Sequence, residues 1–267
     1  MIRKPAVAGS FYEGRPDRLL SQVREFIEEG APEQEALGAV VPHAGFFYSG
    51  KVAGAVYSRL LFPESFIILG PNHSGLGTGA SIMADGQWDM PLGTVQIDSG
   101  LAQAILKSSR TLQDDYRAHL REHSIEVQLP FLQYFGKPFN FVPISLRSHE
   151  LPVCQDVGSA IAEALRDYPG KVVLLASTDM SHYVPQEIAE SKDKLAIEAI
   201  LNLDPEGLHG VVLKNRISMC GFAPTVAMLV AVKKLGATSA TLVRYMTSGD
   251  INREYRQVVG YAGLLIK

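Results

Sequence analysis

Four short apolar runs constrain this chain most: residues 37–41, 65–69, 139–146 and 171–177 are rich in Val, Ile and Phe. Runs of this length without polar alternation suit strands buried on both faces, as in parallel sheets covered by helices. Between them, residues 50–60, 99–107, 125–135 and 150–167 space their apolar side chains helically. Strand therefore alternates with helix, which predicts an α/β fold with a mostly parallel twisted central sheet and helices on both faces.

The remaining segments extend this frame. Residues 15–30 predict a helix with Pro16 in its first turn, a stripe of Leu19, Leu20, Val23, Phe26 and Ile27, and Gly30 as its stop. Residues 80–84 and 94–97 flank Gly-Gln-Trp-Asp-Met-Pro-Leu-Gly and predict an antiparallel excursion shaped as a flap. Asp204 and Pro205 suit a helix start, residues 222–235 another helix, and residues 240–246 and 258–266 two closing strands.

Composition sets the outer limits. The 267 residues contain no linker, so one domain spanning 1–267 is expected. A hydrophobic share of 46% with 20% charged residues excludes disordered and fibrous classes. A net charge of -3 gives nucleic acid no broad basic field to bind. No apolar run nears the roughly 20 residues of a membrane span. Met1-Ile2-Arg3-Lys4-Pro5 lacks a secretory core, and a cytoplasmic location is the expectation. Two cysteines, Cys154 and Cys220, are too few for a disulfide framework.

The chemistry collects at strand ends. His43, His73 and His182 each stand just beyond an expected strand, and the cleft outside the carboxyl ends of parallel strands is where α/β proteins bind ligands. One such histidine alone is as readily a structural residue; three make a shared metal cleft the better expectation. Asn72, Asp179 and Glu126 are candidates to orient the rings. Cys220 precedes the helix expected at 222, where backbone N–H groups favour a thiolate, either ligand or nucleophile; a buried apolar role is the alternative.

His123 and Glu126 lie three apart and share a face if helical, which suits proton transfer or, equally, a helix-start cap. Cys154 is assigned to packing, and His119, His149 and His209 to the surface. Residues 75–79 are glycine-rich but lack a P-loop lysine, so a mobile loop is expected there. Phe11, Tyr12, Phe46, Phe47 and Tyr48 are either core or the wall of a pocket.

Together, Pro42-His43-Ala44-Gly45, Gly70-Pro71-Asn72-His73, Glu122-His123-Ser124-Ile125-Glu126, Ser177-Thr178-Asp179-Met180-Ser181-His182 and Cys220-Gly221 resemble the MEMO family, in order and over nearly the whole chain. The resemblance implies a fold similar to the class III extradiol ring-cleaving dioxygenases. It implies metal-ligand roles for His43, His73 and Cys220, with Asp179 and His182 as active-site partners. A thiolate in place of a carboxylate suits zinc or copper better than the oxygen-activating iron of those dioxygenases, so ring cleavage is not expected. The animal relative is linked to phosphotyrosine-peptide recognition, cell motility and copper-dependent redox chemistry. Similar microbial proteins are associated with radical SAM and AMMECR-type proteins, which the resemblance implies as partners.

Three readings follow. The first is a metal-dependent redox or oxygenase-like enzyme holding copper, zinc or iron, with His182 and His123 handling protons and a small-molecule or peptide substrate. The second is a hydrolase with Cys220 as nucleophile, His182 as base and Asp179 as orienter. The third is a non-catalytic module that binds a peptide or partner protein.

Overall fold

A computed structural model describes all 267 residues. The chain opens with β1 (Ile2–Arg3) and α1 (Pro16–Arg24), and then β2 (Gly38–Val41), α2 (Phe46–Tyr57) and β3 (Ser65–Pro71) form a βαβ unit. An insertion follows: β4 (Ala80–Ile82), β5 (Gln87–Met90), β6 (Gly93–Ile97), α3 (Ser99–Ser108) and β7 (Gln113–Asp114). Two 3₁₀ turns, Tyr116–His119 and Glu126–Gln128, lead through α4 (Leu129–Tyr134) to β8 (Asn140–Leu146), α5 (Leu151–Leu165), β9 (Val172–Ser177) and β10 (His182–Val184). The chain closes with α6 (Gln186–Leu201), α7 (Pro205–Asn215), α8 (Phe222–Lys234), β11 (Ala240–Thr247), α9 (Ser248–Asn252) and β12 (Val258–Ile266).

The strands form one sheet in the order β1-β5-β6-β8-β3-β9-β2-β12-β10, with β11 paired to β12 and β4 to β8. The expected strands at 37–41, 65–69, 139–146 and 171–177 are β2, β3, β8 and β9, all parallel to their neighbours within that group. β12 runs antiparallel to β2. Helices lie on both faces: Met228 and Val232 of α8 crowd Gly38, Val52 and Val56 of α2 crowd Gly263, and the β2–β12 register sets those two glycines on opposite sides. One core of 65 buried residues runs through these layers. No helix is long and apolar enough to cross a membrane.

Several local expectations are corrected. α1 ends at Arg24 rather than Gly30, because Phe26 turns back to pack on Phe46 and Phe131. α2 starts at Phe46, four residues ahead of the expected helix. The excursion after β4 is no flap: Gln87–Met90 is itself a strand paired with β6, and Trp88 is wholly buried. α6 had no counterpart in the sequence reading, since Asp193 interrupts its buried stripe of Ala189, Ala196, Ile197 and Ile200. Asp204 does cap α7, accepting the Gly207 N–H.

Candidate metal centre

The carboxyl ends of β2, β3 and β9 deliver His43, His73 and the 177–182 segment to one end of the sheet. His43 is 2% exposed, and its ring Nδ1 lies 3.0 Å from Ser177 Oγ. That hydroxyl spends its single proton on the Ser124 carbonyl, at 2.6 Å, and also accepts from Gln128 Nε2. It therefore accepts from His43 too, which fixes the proton on Nδ1 and leaves Nε2 as a bare lone pair. Burial pushes the His43 pKa well down, helped by His123 and His73, so the ring is neutral.

Glu122 performs the same service for His73. Its Oε1 accepts His73 Nδ1 at 2.9 Å, its Oε2 accepts the His73 backbone N–H, and it also caps the backbone of His123 and Ser124. Burial opposes ionisation of Glu122, but the bond and charge of His73 outweigh it and hold the carboxyl well below the usual range. His73 rises in turn, against its own burial. Its Nε2 is the nitrogen left for the cleft.

His123 completes the group. Its ring stacks on His73 at 4.7 Å and 24°, stands edge-on to His43 at 5.5 Å, and is backed by Phe11 at 4.7 Å. Ligand nitrogens of His43, His73 and His123 all lie within 4.8 Å of one another. The approach is close because Gly70 has no side chain: a Cβ there would sit 2.4 Å from Ser124 Oγ, driving the 122–124 turn off β3.

Cys220 meets this group through His43, with Sγ 3.3 Å from Nε2. It also accepts the Asp179 N–H at 3.3 Å. Burial pushes the thiol up, and the Asp179 charge pushes further, outweighing the helix start. Cys154 is fully buried in the core, its thiol pushed up to about 12 by burial.

Asp179 Oδ1 accepts the backbone N–H groups of His43 and Ala44, at 2.8 and 3.3 Å. Burial raises its pKa despite those bonds. His182 Nδ1 lies 2.8 Å from two carbonyls, Met180 and Ser218, so it carries the proton and Nε2 is uncommitted. The Cys220–His182–Asp179 relay is thus not assembled: the thiol sits on His43, and His182 is oriented by carbonyls rather than by Asp179.

Three expectations are reversed. Glu126 does not work beside His123; Arg3, the N–H groups of Ala6 and Val7 and the Tyr12 hydroxyl occupy its carboxylate. His119 is not on the surface: it is 0% exposed and neither ring nitrogen has a partner. His149 is exposed, as expected, while His209 is half-buried and packs its ring near Phe222. Asn72 turns to its own loop and orients no histidine. Arg147 ties the glycine-rich segment at Gly75 and Gly79.

A cavity of about 500 Å³ opens over the histidines, lined by Phe11, Ala44, Gly45, Tyr48, Asp179, His182, Tyr183, Ser248, Asn252, Gln257, Val259 and Tyr261 besides His43, His73 and His123. Of the candidate wall aromatics, Phe11 and Tyr48 line it, Tyr12 and Phe46 belong to the core, and Phe47 faces solvent. Sequence reasoning passed over Glu122 and Ser177, although both sit inside quoted motifs. Neighbours in sequence do not disclose which ring each will meet.

The family described as Memo-like protein matches residues 3–265. A MEMO1 family protein of Methanopyrus kandleri is 43% identical over 100% of this chain and 99% of its own length. One from Methanococcus maripaludis is 44% identical over 100% of both chains. The crystal structure of an uncharacterized protein from Escherichia coli K12 shares the fold at TM-score 0.57 and 17% identity, covering 85% of this chain and 98% of that one. From the ordered motifs, the converging histidines and relatives matched end to end, this chain belongs to the Memo-like protein family.

Proposed function

We propose that this protein is a metal-dependent redox or oxygenase-like enzyme whose ion is held by His43 Nε2, His73 Nε2 and His123, with the Cys220 thiol beside His43. The convergence of three imidazoles, two with their outer N–H groups already committed to Ser177 and Glu122, is the observation that supports it. The donor set fits an imidazole-binding transition ion: burial favours neutral His43 and His123, His73 would release its proton to the ion, and three imidazoles suit copper, zinc or iron. Bound there, such an ion would supply Lewis-acid or redox chemistry.

The chain's own residues supply the rest. His182 presents an uncommitted Nε2 to the cleft and accepts a proton from substrate. Asp179 positions His43 through its backbone, and Phe11 holds the His123 ring. The finer kinship to class III extradiol dioxygenases, and radical SAM and AMMECR-type proteins as partners, belong to this reading on the motif resemblance alone.

Metal content after reconstitution tests it. His43→Ala and His123→Ala should each lose the ion, and Cys220→Ser should keep it. Full occupancy in both histidine variants overturns the assignment. Loss in Cys220→Ser with retention in His123→Ala makes the thiolate the third ligand.

A further inference from the structure

β12 gives the cleft a long axis. Tyr261 and Val259, alternate residues on one face of β12, line the cavity, and so does Gln257 just ahead of the strand. Tyr261 follows Gly260, whose backbone pairs with Met180 and Ser181, at the histidine end. Gln257 stands farther out, in the bend just ahead of β12, and is exposed. Asn252, at the end of α9, lines the same cavity.

The facing wall is built to present two neighbours at once. Consecutive strand residues point to opposite faces, yet His182 and Tyr183 both line the cavity. A register shift between His182 and Val184 against β12, with φ of 56° at Tyr183, turns both inward. Tyr183 remains 72% exposed, an aromatic ring displayed at the mouth.

Charge discriminates what this outer end accepts. No lysine or arginine lines the cleft, and its one carboxylate, Asp179, stands beside His43. Arg256, next to Gln257, is exposed and pairs with Glu254 through Nε and Nη2, and Arg253 turns to the Tyr255 hydroxyl. A carboxylate or phosphate arriving here meets no cation among the lining residues. An amide or hydroxyl would meet the carboxamides of Asn252 and Gln257.

We propose that Tyr183, Asn252 and Gln257 form the specificity-determining end of the cleft. The ligand is elongated, with a metal-seeking head at the histidines and an uncharged, hydrogen-bonding tail at the mouth. This rests on the metal reading above.

The test measures affinity by titration calorimetry of zinc-loaded protein with biphenyl-4-hydroxamic acid and its 4′-carboxamide and 4′-carboxylate derivatives. The carboxamide should bind at least tenfold more tightly than the carboxylate, and Gln257→Lys should reverse that order. Equal affinities, or a ratio unmoved by Gln257→Lys while the unsubstituted probe still binds, overturn the inference and leave the metal site standing. If none of the three prefers zinc-loaded over metal-free protein, the metal reading itself fails and takes the inference with it.

Discussion

The Glu122 carboxylate holds His73 twice, accepting its backbone N–H with one oxygen and its ring Nδ1 with the other at 2.9 Å. One side chain thereby sets both where the ring starts and which nitrogen it offers. Glu122→Gln keeps the shape but replaces one acceptor oxygen with a donor and removes the charge. Metal affinity should fall about 10- to 100-fold, as outer-shell partners of histidine ligands show. Competition titration against a chromogenic chelator measures it, and an unchanged affinity would refute the role.

Gly221 lets the chain ahead of α8 lie on the end of β9: a Cβ there would come within 2.4 Å of the Ser177 carbonyl and 2.5 Å of Thr178 Cβ. Gly221→Ala should cost about 1–3 kcal/mol by overpacking and move Cys220 off His43. In the native protein both thiols should alkylate slowly. The variant should label Cys220 faster while Cys154 stays inert, which mass spectrometry of iodoacetamide adducts would read. Equal labelling in both proteins counts against the Gly221 contact.

Arg3 reaches from the first strand into the core. It pairs with Glu126, donates to the His119 and Glu122 carbonyls, and lies 4.1 Å over the Trp88 ring. Arg3→Met strands the fully buried Glu126 carboxylate, and urea unfolding should report a loss of about 3–5 kcal/mol. Adding Glu126→Gln should recover part of that loss; no recovery would mean the cation–π and carbonyl contacts dominate.

Buried His119 titrates to destabilise the fold in acid. Burial, with the Arg3 charge, lowers its pKa to about 3, whereas the unfolded chain protonates near 6.5. A depressed folded pKa means stability present above the unfolded value and lost as pH falls through this window, at up to about 1.4 kcal/mol per pH unit. Denaturant midpoints measured from pH 7 to pH 4 should fall less steeply for His119→Leu than for the parent. Parallel slopes would exclude His119 as the source.

The sequence by itself determined the frame: apolar runs long enough for one buried strand each, separated by helical stripes, leave little besides a parallel α/β sheet, and His43, His73 and His182 then belong at its carboxyl end. Periodicity failed where a side chain answers to a distant partner. Asp193 hid α6 because its burial is settled by Ser181 and Tyr245, and Trp88 turned an expected flap into a sheet strand by packing against Arg3 and Phe141. Only the tertiary structure sent Glu122 to His73, Glu126 to Arg3 and His123 into the histidine cluster. Adjacent residues of one turn point different ways, and the partners that choose among those directions come from segments that spacing along the chain does not relate. The motifs contain the histidines, and long-range packing decided which of them face one another.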